Sequence, residues 1–282
     1  MMNPKSILIT GCSTGIGHTV AHGLQQRGHT VIASCRKPED VYHLNKQGLN
    51  CIQLDLEDSD SITAAVEHSL DLCNGRLDAL FNNGAFGLPG AVEDLSREAL
   101  RTQFETNVFG WLELTNQVLP LMRQQGSGRI IQNSSVLGLV ALPYRGAYTA
   151  SKFAIEGLTD TLRMELKGSG IDISLIEPGP IESDFRKNAE KAFHRFIKIE
   201  GSAHETSYIT MQQRLNKKGH STSFTLPATA VLERVIHALE SPHPKARYYV
   251  TTPTYIFGYL KRFLSSRMTD KLMLTVSGDG KR

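Results

Sequence analysis

The stretch Ser6-Ile7-Leu8-Ile9-Thr10-Gly11-Cys12-Ser13-Thr14-Gly15-Ile16-Gly17 decides the fold. Its first half, Ser6–Thr10, is a short apolar run of the kind found in a strand buried on both faces. Its second half carries three glycines and then opens an amphipathic pattern over Ile16–Gln26, with apolar residues three and four apart. The sequence therefore predicts strand, tight turn and helix in succession. Gly11 permits the sharp turn, Gly15 lets the backbone come close to an anion such as a pyrophosphate, and Gly17 lets the helix pack closely on the strand. The spacing departs from G-x-G-x-x-G, and glycine-rich turns also occur without ligands. It is the strand–turn–helix setting that gives the glycines weight.

Outward from this turn, short β-rich runs alternate with helical patterns. Strands are expected at Ser6–Thr10, Thr30–Cys35, Cys51–Leu54, Ala79–Phe81, Arg129–Asn133 and Asp172–Ile176, with a seventh around Tyr248–Thr251. Helices are expected at Ile16–Gln26, Ile62–Leu72, Leu100–Arg123 and Tyr148–Leu166. Such alternation specifies an α/β fold: a Rossmann-type, doubly wound parallel sheet of about seven strands with helices on both faces. All 282 residues are read as one domain, since no repeat, low-complexity tract or linker divides them.

Composition narrows the functional classes. With 40% hydrophobic and 21% charged residues, the chain has ordinary globular content. A net charge of +3, left between 31 basic and 28 acidic residues, offers no electrostatic footprint for nucleic acid. No run approaches the roughly 18–20 apolar residues of a membrane span, and Met1 to Thr10 passes directly into the first strand, so the expected location is the cytoplasm. Cys12, Cys35, Cys51 and Cys73 show neither C-x-x-C pairing nor metal-ligand spacing and are read as reduced core thiols; no metal is expected.

The end of the second strand selects among dinucleotides. An acid there would bind a ribose 2′-hydroxyl and repel a 2′-phosphate, yet the strand ends Ala33-Ser34-Cys35-Arg36-Lys37. A guanidinium at Arg36 can grip a phosphate, which favours NADP(H) over NAD(H); alternatively Arg36 is a solvated loop charge partnered by Glu39 or Asp40. Asp55, after the third strand, either accepts from an adenine amino group or caps the helix starting near Ser59.

The chemical end is the group Tyr148-Thr149-Ala150-Ser151-Lys152. Four residues apart on a helix, Tyr148 and Lys152 share a face. A phenol with a reference pKa near 10 suits neutral-pH chemistry poorly, and the Lys152 ammonium and a positive nicotinamide ring are both expected to favour its phenolate form. Ser135, thirteen residues before the tyrosine and at the end of the fifth strand, can hold a carbonyl oxygen beside the phenol, with Ser134 as its rival.

Two segments break the alternation. Ser183 to Ser223 interleaves Phe185, Phe193, Phe196, Tyr208 and Met211 with basic residues, and it reads as a substrate lid or as a plain surface excursion of helix. Tyr255 to Val276 is expected as one amphipathic helix. Ile256, Tyr259, Leu260, Phe263, Leu264, Met268 and Leu272 alternate there with Lys261, Arg262, Arg267 and Lys271, which fits peripheral contact with a membrane surface or packing against the core or another subunit.

The glycine turn, Asn82-Asn83-Gly84-Ala85, Asn107, Ser134-Ser135, Tyr148-x-x-x-Lys152 and Pro178-Gly179-Pro180-Ile181 follow one another in an order and spacing that resemble the short-chain dehydrogenase/reductase family, over roughly residues 5–250. Within it, residues 82–166 look like the branch of hydroxysteroid and retinol dehydrogenases and bacterial aldehyde reductases. The resemblance implies that Ser135, Tyr148 and Lys152 are catalytic, with Tyr148 the general acid, and that Asn107 holds a water in the proton relay. It also implies that Ser13 and Ile16 contact the dinucleotide, that Asn82 lies beside the adenosine ribose, and that Lys152 bonds the nicotinamide ribose. The loop from Pro178, with the Ile181 backbone and Ser183, is implied to meet the nicotinamide amide. Two positions depart from the family pattern: Gly84-Ala85 inverts the usual Ala-Gly, and Ser183 stands where threonine is common.

The expected function is reversible, NADP(H)-dependent reduction of apolar aldehydes or ketones to alcohols. The expected partners are a small apolar carbonyl or alcohol substrate and, by resemblance, further copies of the chain in a homodimer or homotetramer. Two other functions fit parts of the sequence. One is an NADP(H)-binding redox sensor or partner-binding protein with little catalysis. The other is a ketoreductase of acyl-carrier-protein thioesters, for which Lys187, Lys191, Arg195 and Lys198 would supply a basic mouth.

Overall fold

The computed structural model describes residues 4–215 and 224–278. In chain order its main elements are β1 (Ser6–Ile9), α1 (Gly15–Gln26), β2 (Thr30–Cys35), α2 (Pro38–Lys46), β3 (Asn50–Gln53), α3 (Ser59–Leu72), β4 (Ala79–Asn82), α4 (Arg97–Phe104), α5 (Gly110–Gln125), β5 (Gly128–Asn133), α6 (Gly146–Glu165), β6 (Ile171–Glu177), α7 (Phe185–Phe196), α8 (Glu205–Leu215), α9 (Thr229–Glu240), β7 (Arg247–Tyr249), α10 (Thr252–Leu260) and α11 (Ser266–Ser277). The strands form one parallel sheet in the order β3-β2-β1-β4-β5-β6-β7. The chain winds outward from β1 to one edge, returns to set β4 beside β1, and winds to the other edge. This reversal opens a crevice beyond the carboxyl ends of β1 and β4, where open α/β sheets bind ligands.

The pleat divides the core. Ile7 and Ile9 point with Phe81, Ile131 and Ile176 toward α1, α2 and α9, while Leu8 points with Leu80, Ile130 and Leu175 toward α3, α5 and α6. Both faces are covered, which is why the strand sequences are near-continuously apolar. Close approach fixes the helix layer: a Cβ at Gly23 on α1 would lie 2.3 Å from Leu232 Cδ2 on α9.

Three features differ from the expectations. Helices α2 and α9 were not anticipated, although α2 carries Pro38 at its first turn followed by Glu39 and Asp40, a favourable start for a helix. The helix expected over 100–123 is α4 and α5 joined through a π-helical turn at Glu105–Phe109. The helix expected over 255–276 is two helices, because Ser265 adopts an extended conformation before α11. No helix among the described residues is long and apolar enough to cross a membrane. All four cysteines are buried and free, with Cys35 and Cys51 Sγ 3.9 Å apart on adjacent strands.

The segment 183–223 folds mostly as α7 and α8, with 216–223 outside the described residues. Its Phe193, Tyr208 and Met211 join Leu88, Ala91, Ala99 and Ala147 in a separate apolar cluster. Tyr208 accepts a hydrogen bond from the Ala91 N–H at 3.0 Å and donates one to Asp94. His204 bridges Glu93 at 2.5 Å and the Tyr144 hydroxyl at 3.2 Å. The two helices are therefore docked on the body of the protein.

Candidate active site

At the phosphate end, Gly11 and Gly15 have φ of +70° and +61°, the left-handed region that glycine enters without strain. Packing requires glycine as well: a Cβ on Gly11 would lie 2.5 Å from Gly84 Cα, and one on Gly17 would lie 2.2 Å from the Gly11 carbonyl oxygen. The ends of three strands are laced together here. Thr10 Oγ1 accepts from the Asn83 and Gly84 N–H groups at 2.8 and 2.7 Å, and Asn83 Nδ2 donates to the Thr10 and Gly11 carbonyls at 3.0 and 3.2 Å. Asn133 Nδ2, from β5, donates to Asn83 Oδ1 at 2.9 Å. Gly84, the inverted position, sits against Gly11, and a Cβ there would come within 3.2 Å of the Gly11 nitrogen.

The amino terminus of α1 faces this turn. Its N-cap, Thr14, makes no side-chain capping bond, so the first N–H groups of the helix lack a side-chain cap, and together with Gly11 and Gly15 they form a cradle suited to a pyrophosphate. Ser13 is exposed on the turn and Ile16 is half-buried in the core beside it. Ser183 closes the cradle from the other side, since a Cβ on Gly15 would lie 2.9 Å from Ser183 Cβ. The loop that carries Pro178, Ile181 and Ser183 is held through Leu226, whose N–H donates to the Pro180 carbonyl at 3.1 Å.

Arg36 is exposed just past β2, while Glu39 and Asp40 occupy the first turn of α2. Asp55 does not cap α3. Asp58 does, accepting from the Asp60 N–H at 3.0 Å, and Asp55 instead accepts from the Glu57 N–H at 3.1 Å. The Asn82 side chain is wholly buried and donates to Thr115 Oγ1 at 3.0 Å, so it braces β4 against α5 and leaves only its main chain toward the crevice.

At the chemical end, the Ser135 hydroxyl accepts from the Leu137 N–H at 3.1 Å and lies near enough to the Tyr148 phenol to favour its ionised form. Its rival Ser134 turns away and donates to Glu156. Lys152, only 1% exposed, donates to the Asn133 carbonyl at 2.7 Å. Its ammonium lies 4.3 Å from the ring centre of Trp111 and 5.6 Å from that of Tyr148. Burial brings Lys152 down to about 7, against an opposing pull from Glu156. Burial also pushes Tyr148 up to about 12, and the nearby Ser135 hydroxyl only moderates this. In the protein alone, then, desolvation dominates both groups, raising the phenol and lowering the ammonium.

Asn107 lies in the π-helical turn, a distortion common at functional sites. Both its amide hydrogens are engaged, with Nδ2 donating to the Phe86 carbonyl at 2.9 Å and to Ser151 Oγ at 3.2 Å. Sequence reasoning gave no role to Trp111, Asn83 or Glu156. Trp111, the chain's single tryptophan, donates to the Gly84 carbonyl at 2.8 Å and presents its face to Lys152, so it joins the two ends of the crevice. The Phe185 ring stands edge-on to Tyr148 at 5.3 Å, admitted by Gly87, where a Cβ would meet Phe185 Cζ at 2.6 Å.

Residues 5–193 match the family model described as short chain dehydrogenase. The chain belongs to the short-chain dehydrogenase family. It is 41% identical over 269 residues to the Escherichia coli protein described as uncharacterized oxidoreductase YbbO, covering 95% of this chain and 94% of that one. It is 34% identical to human 17-beta-hydroxysteroid dehydrogenase type 1, covering 87% and 77%. A short-chain dehydrogenase structure from Streptomyces avermitilis superposes with a TM-score of 0.76 at 25% identity, over 99% of this chain and 98% of that one. This short-chain dehydrogenase is thus an oxidoreductase of the family, and a nicotinamide dinucleotide is the cofactor the family supports.

Proposed function

We propose that the protein is an NADP(H)-dependent reductase of apolar aldehydes and ketones, working reversibly, with Tyr148 as general acid and base. The observation that carries this reading is the buried Lys152, one helical turn from Tyr148 with its ammonium 5.6 Å from that ring's centre, beside a phenol that also feels the Ser135 hydroxyl. The Gly11–Gly17 turn with Ser13 and Ile16 would hold the pyrophosphate, Asp55 and the Asn82 main chain would flank the adenosine, and Pro178, Ile181 and Ser183 would meet the nicotinamide. Arg36, with no acid at the end of β2, supports a 2′-phosphate. When bound, the dinucleotide supplies the hydride that reaches the carbonyl carbon.

The chain's own residues supply placement and the proton. Ser135 and Tyr148 donate to the carbonyl oxygen and hold the carbon in line for attack. As that oxygen gains negative charge, the phenol proton passes to it, and the Lys152 ammonium stabilises the phenolate left behind. Phe185, edge-on to Tyr148, favours apolar groups beside the carbonyl, as does the hydroxysteroid named for the human relative.

A second reading is favoured by one feature. Lys187, Lys191, Arg195 and Lys198 are all exposed on or just beyond α7, and such a basic face fits an acyl-carrier-protein thioester. Exposed Phe109, Leu112, Phe153, Leu158 and Met164 on or beside α5 and α6 support pairing of copies. Exposed Tyr259, Phe263 and Met268 among Lys261, Arg262, Arg267 and Lys271 support a peripheral membrane contact.

The test is oxidation of NADPH and NADH by wild type and Tyr148→Phe with medium-chain aldehydes, retinal and a steroid ketone. Turnover with NADPH that the substitution abolishes is expected. Tight NADPH binding without turnover on any of these would overturn the reading in favour of a sensor.

A further inference from the structure

Behind the catalytic face of α6 lies a charge cluster that the proposed chemistry does not use. Glu156 follows Lys152 by one helical turn, and both side chains are buried. One Glu156 oxygen accepts from Ser134 Oγ, and the other accepts from Arg247 Nη1. Arg247, the first residue of β7, also donates to Glu177 at 2.5 Å and to Asp160 at 2.6 Å. Glu177 ends β6 immediately before Pro178, and its second oxygen is buried without a partner.

One guanidinium thus ties together three parts of the site. The Ser134–Ser135 turn is keyed to Glu156 so closely that a Cβ on Gly138 would lie 2.6 Å from Ser134 Oγ and 2.9 Å from Glu156. The same turn is joined to the loop after β6 through the Val136 N–H, which donates to the Pro178 carbonyl at 2.8 Å. The charged groups acting with Glu156 are Lys152 and Asp160 on α6, Glu177 on β6, Arg247 on β7 and Lys261 after α10, while Arg163 on α6 pairs with Asp160. Burial raises the Glu156 carboxyl above its ordinary range, Ser134 and Arg247 pull it back toward the ionised form, and burial with the neighbouring Glu156 pushes Glu177 up to about 8.

We propose that Glu156 is a positioning residue for the reaction: its carboxylate keeps Lys152 protonated inside the desolvated site and, through Ser134, fixes the turn that presents Ser135. This rests on the roles given above to Tyr148 and Lys152. Two influences act on the Lys152 ammonium, burial lowering its affinity for a proton and Glu156 raising it. Trp111 adds an uncharged ring face, which holds the ammonium without neutralising it. Removing the Glu156 charge leaves burial less opposed, so Lys152 gives up its proton at lower pH.

The experiment measures kcat against pH at saturating NADPH, using whichever substrate of the aldehyde, retinal and steroid-ketone panel the wild type turns over, for wild type, Glu156→Gln, Glu156→Asp and Asp160→Asn, with Tyr148→Phe alongside. Activity needs the ammonium and so falls as pH rises through the Lys152 pKa. Glu156→Gln should bring this alkaline limb down by about 1 pH unit, the size expected when one nearby opposite charge is lost. Glu156→Asp, which keeps the charge, should restore the limb to within about 0.3 unit. Asp160→Asn, at the exposed edge of the cluster, should fold whatever happens to Glu156→Gln; it removes a charge that raises the Glu156 carboxyl and so leaves Glu156 ionised, and its limb should stay within about 0.3 unit of wild type.

A purely structural role for Glu156 would lower the melting temperature and leave the limb in place in every variant, and that result overturns the proposal. If instead Tyr148→Phe retains wild-type turnover, the underlying site assignment has failed, which is a separate outcome.

Discussion

The two ends of the crevice are built on opposite principles. At the phosphate end, position comes from missing side chains: Gly11, Gly17 and Gly84 let backbone meet backbone at distances that a single methyl would close, and Thr10 and Asn83 lock the arrangement with neutral hydrogen bonds. At the chemical end, position comes from buried polar and charged groups, with Lys152 on the Asn133 carbonyl and Glu156 between Ser134 and Arg247. Neutral packing does not respond to pH and tolerates no added volume. Buried charge costs desolvation energy and depends on protonation. The first end suits a part that must stay rigid around an anion, and the second suits a part that must pass a proton.

The contrast breaks most visibly at Tyr148. Tyr148→Phe keeps the ring against Phe185 and removes only the phenol, so kcat should fall about 10²–10⁴-fold, the usual worth of a positioned general acid. The urea midpoint should move little. A midpoint shift as large as that of a core mutation would mean that the phenol holds the fold and is no proton donor.

At the other end the balance should invert. Gly17→Ala forces a methyl onto the Gly11 carbonyl oxygen, backbone against backbone, with no side chain able to yield. Overpacking of this kind costs about 1–3 kcal/mol or more, so the urea midpoint should drop and NADPH affinity should fall with it, while any residual turnover keeps its pH profile. Unchanged stability would show that the turn adapts and that the phosphate end is softer than its contacts indicate.

How much of this was legible in the sequence follows the same division. The glycine turn, the seven strands and the Tyr148–Lys152 pair are local patterns, set by neighbours within a few residues, and the positions where the chain must be tight or apolar show in the residues themselves. That the Asn82 side chain braces β4 against α5 was not legible, because one residue's facing direction depends on the pleat and on α5. Glu156 and Arg247 are 91 residues apart, and nothing in either neighbourhood announces the other. Trp111 likewise gains its meaning only when α5 crosses the end of β4. The burial of Lys152 and Tyr148 was hidden for a related reason: spacing puts two groups on one face but is silent about how much water reaches them.

Lys152 offers a stability test with a defined sign. Its proton affinity is lower in the folded protein, about 7 against an ordinary 10.5, so burying the cation opposes folding. Below pH 7 the lysine is charged in both states and the penalty is complete. Between 7 and 10.5 the unfolded chain binds more protons, stability rises with pH, and the penalty fades. Lys152→Met should therefore be inactive yet more stable than wild type at pH 6, by about 1–3 kcal/mol after allowing for the Asn133 carbonyl left without its donor. The gain should shrink toward pH 10. A variant less stable than wild type at pH 6 would mean that the ammonium, with Glu156 and Trp111, is a net stabiliser of the site.

The smallest effect is expected outside the crevice walls, in the cover made by α7 and α8. Tyr208 combines the two devices: its ring packs on Phe193 at 5.4 Å, while its hydroxyl accepts from Ala91 and donates to Asp94. Tyr208→Phe keeps the ring and orphans a buried N–H, a loss of about 1 kcal/mol. Because α7 and α8 rest on their own apolar cluster and the sheet does not depend on them, the loss should show as faster hydrogen exchange over 185–212, with strand amides unchanged. The bond from Tyr208 is the largest influence holding the Asp94 carboxyl below its ordinary range, so it stabilises the docked cover above that range and weakens as acid protonates the group. Exchange in this segment should accelerate on acidification in wild type more than in Tyr208→Phe, once the intrinsic pH dependence of exchange is removed. Equal acceleration would assign the docking to packing alone and leave buried charge as a device of the chemical end only.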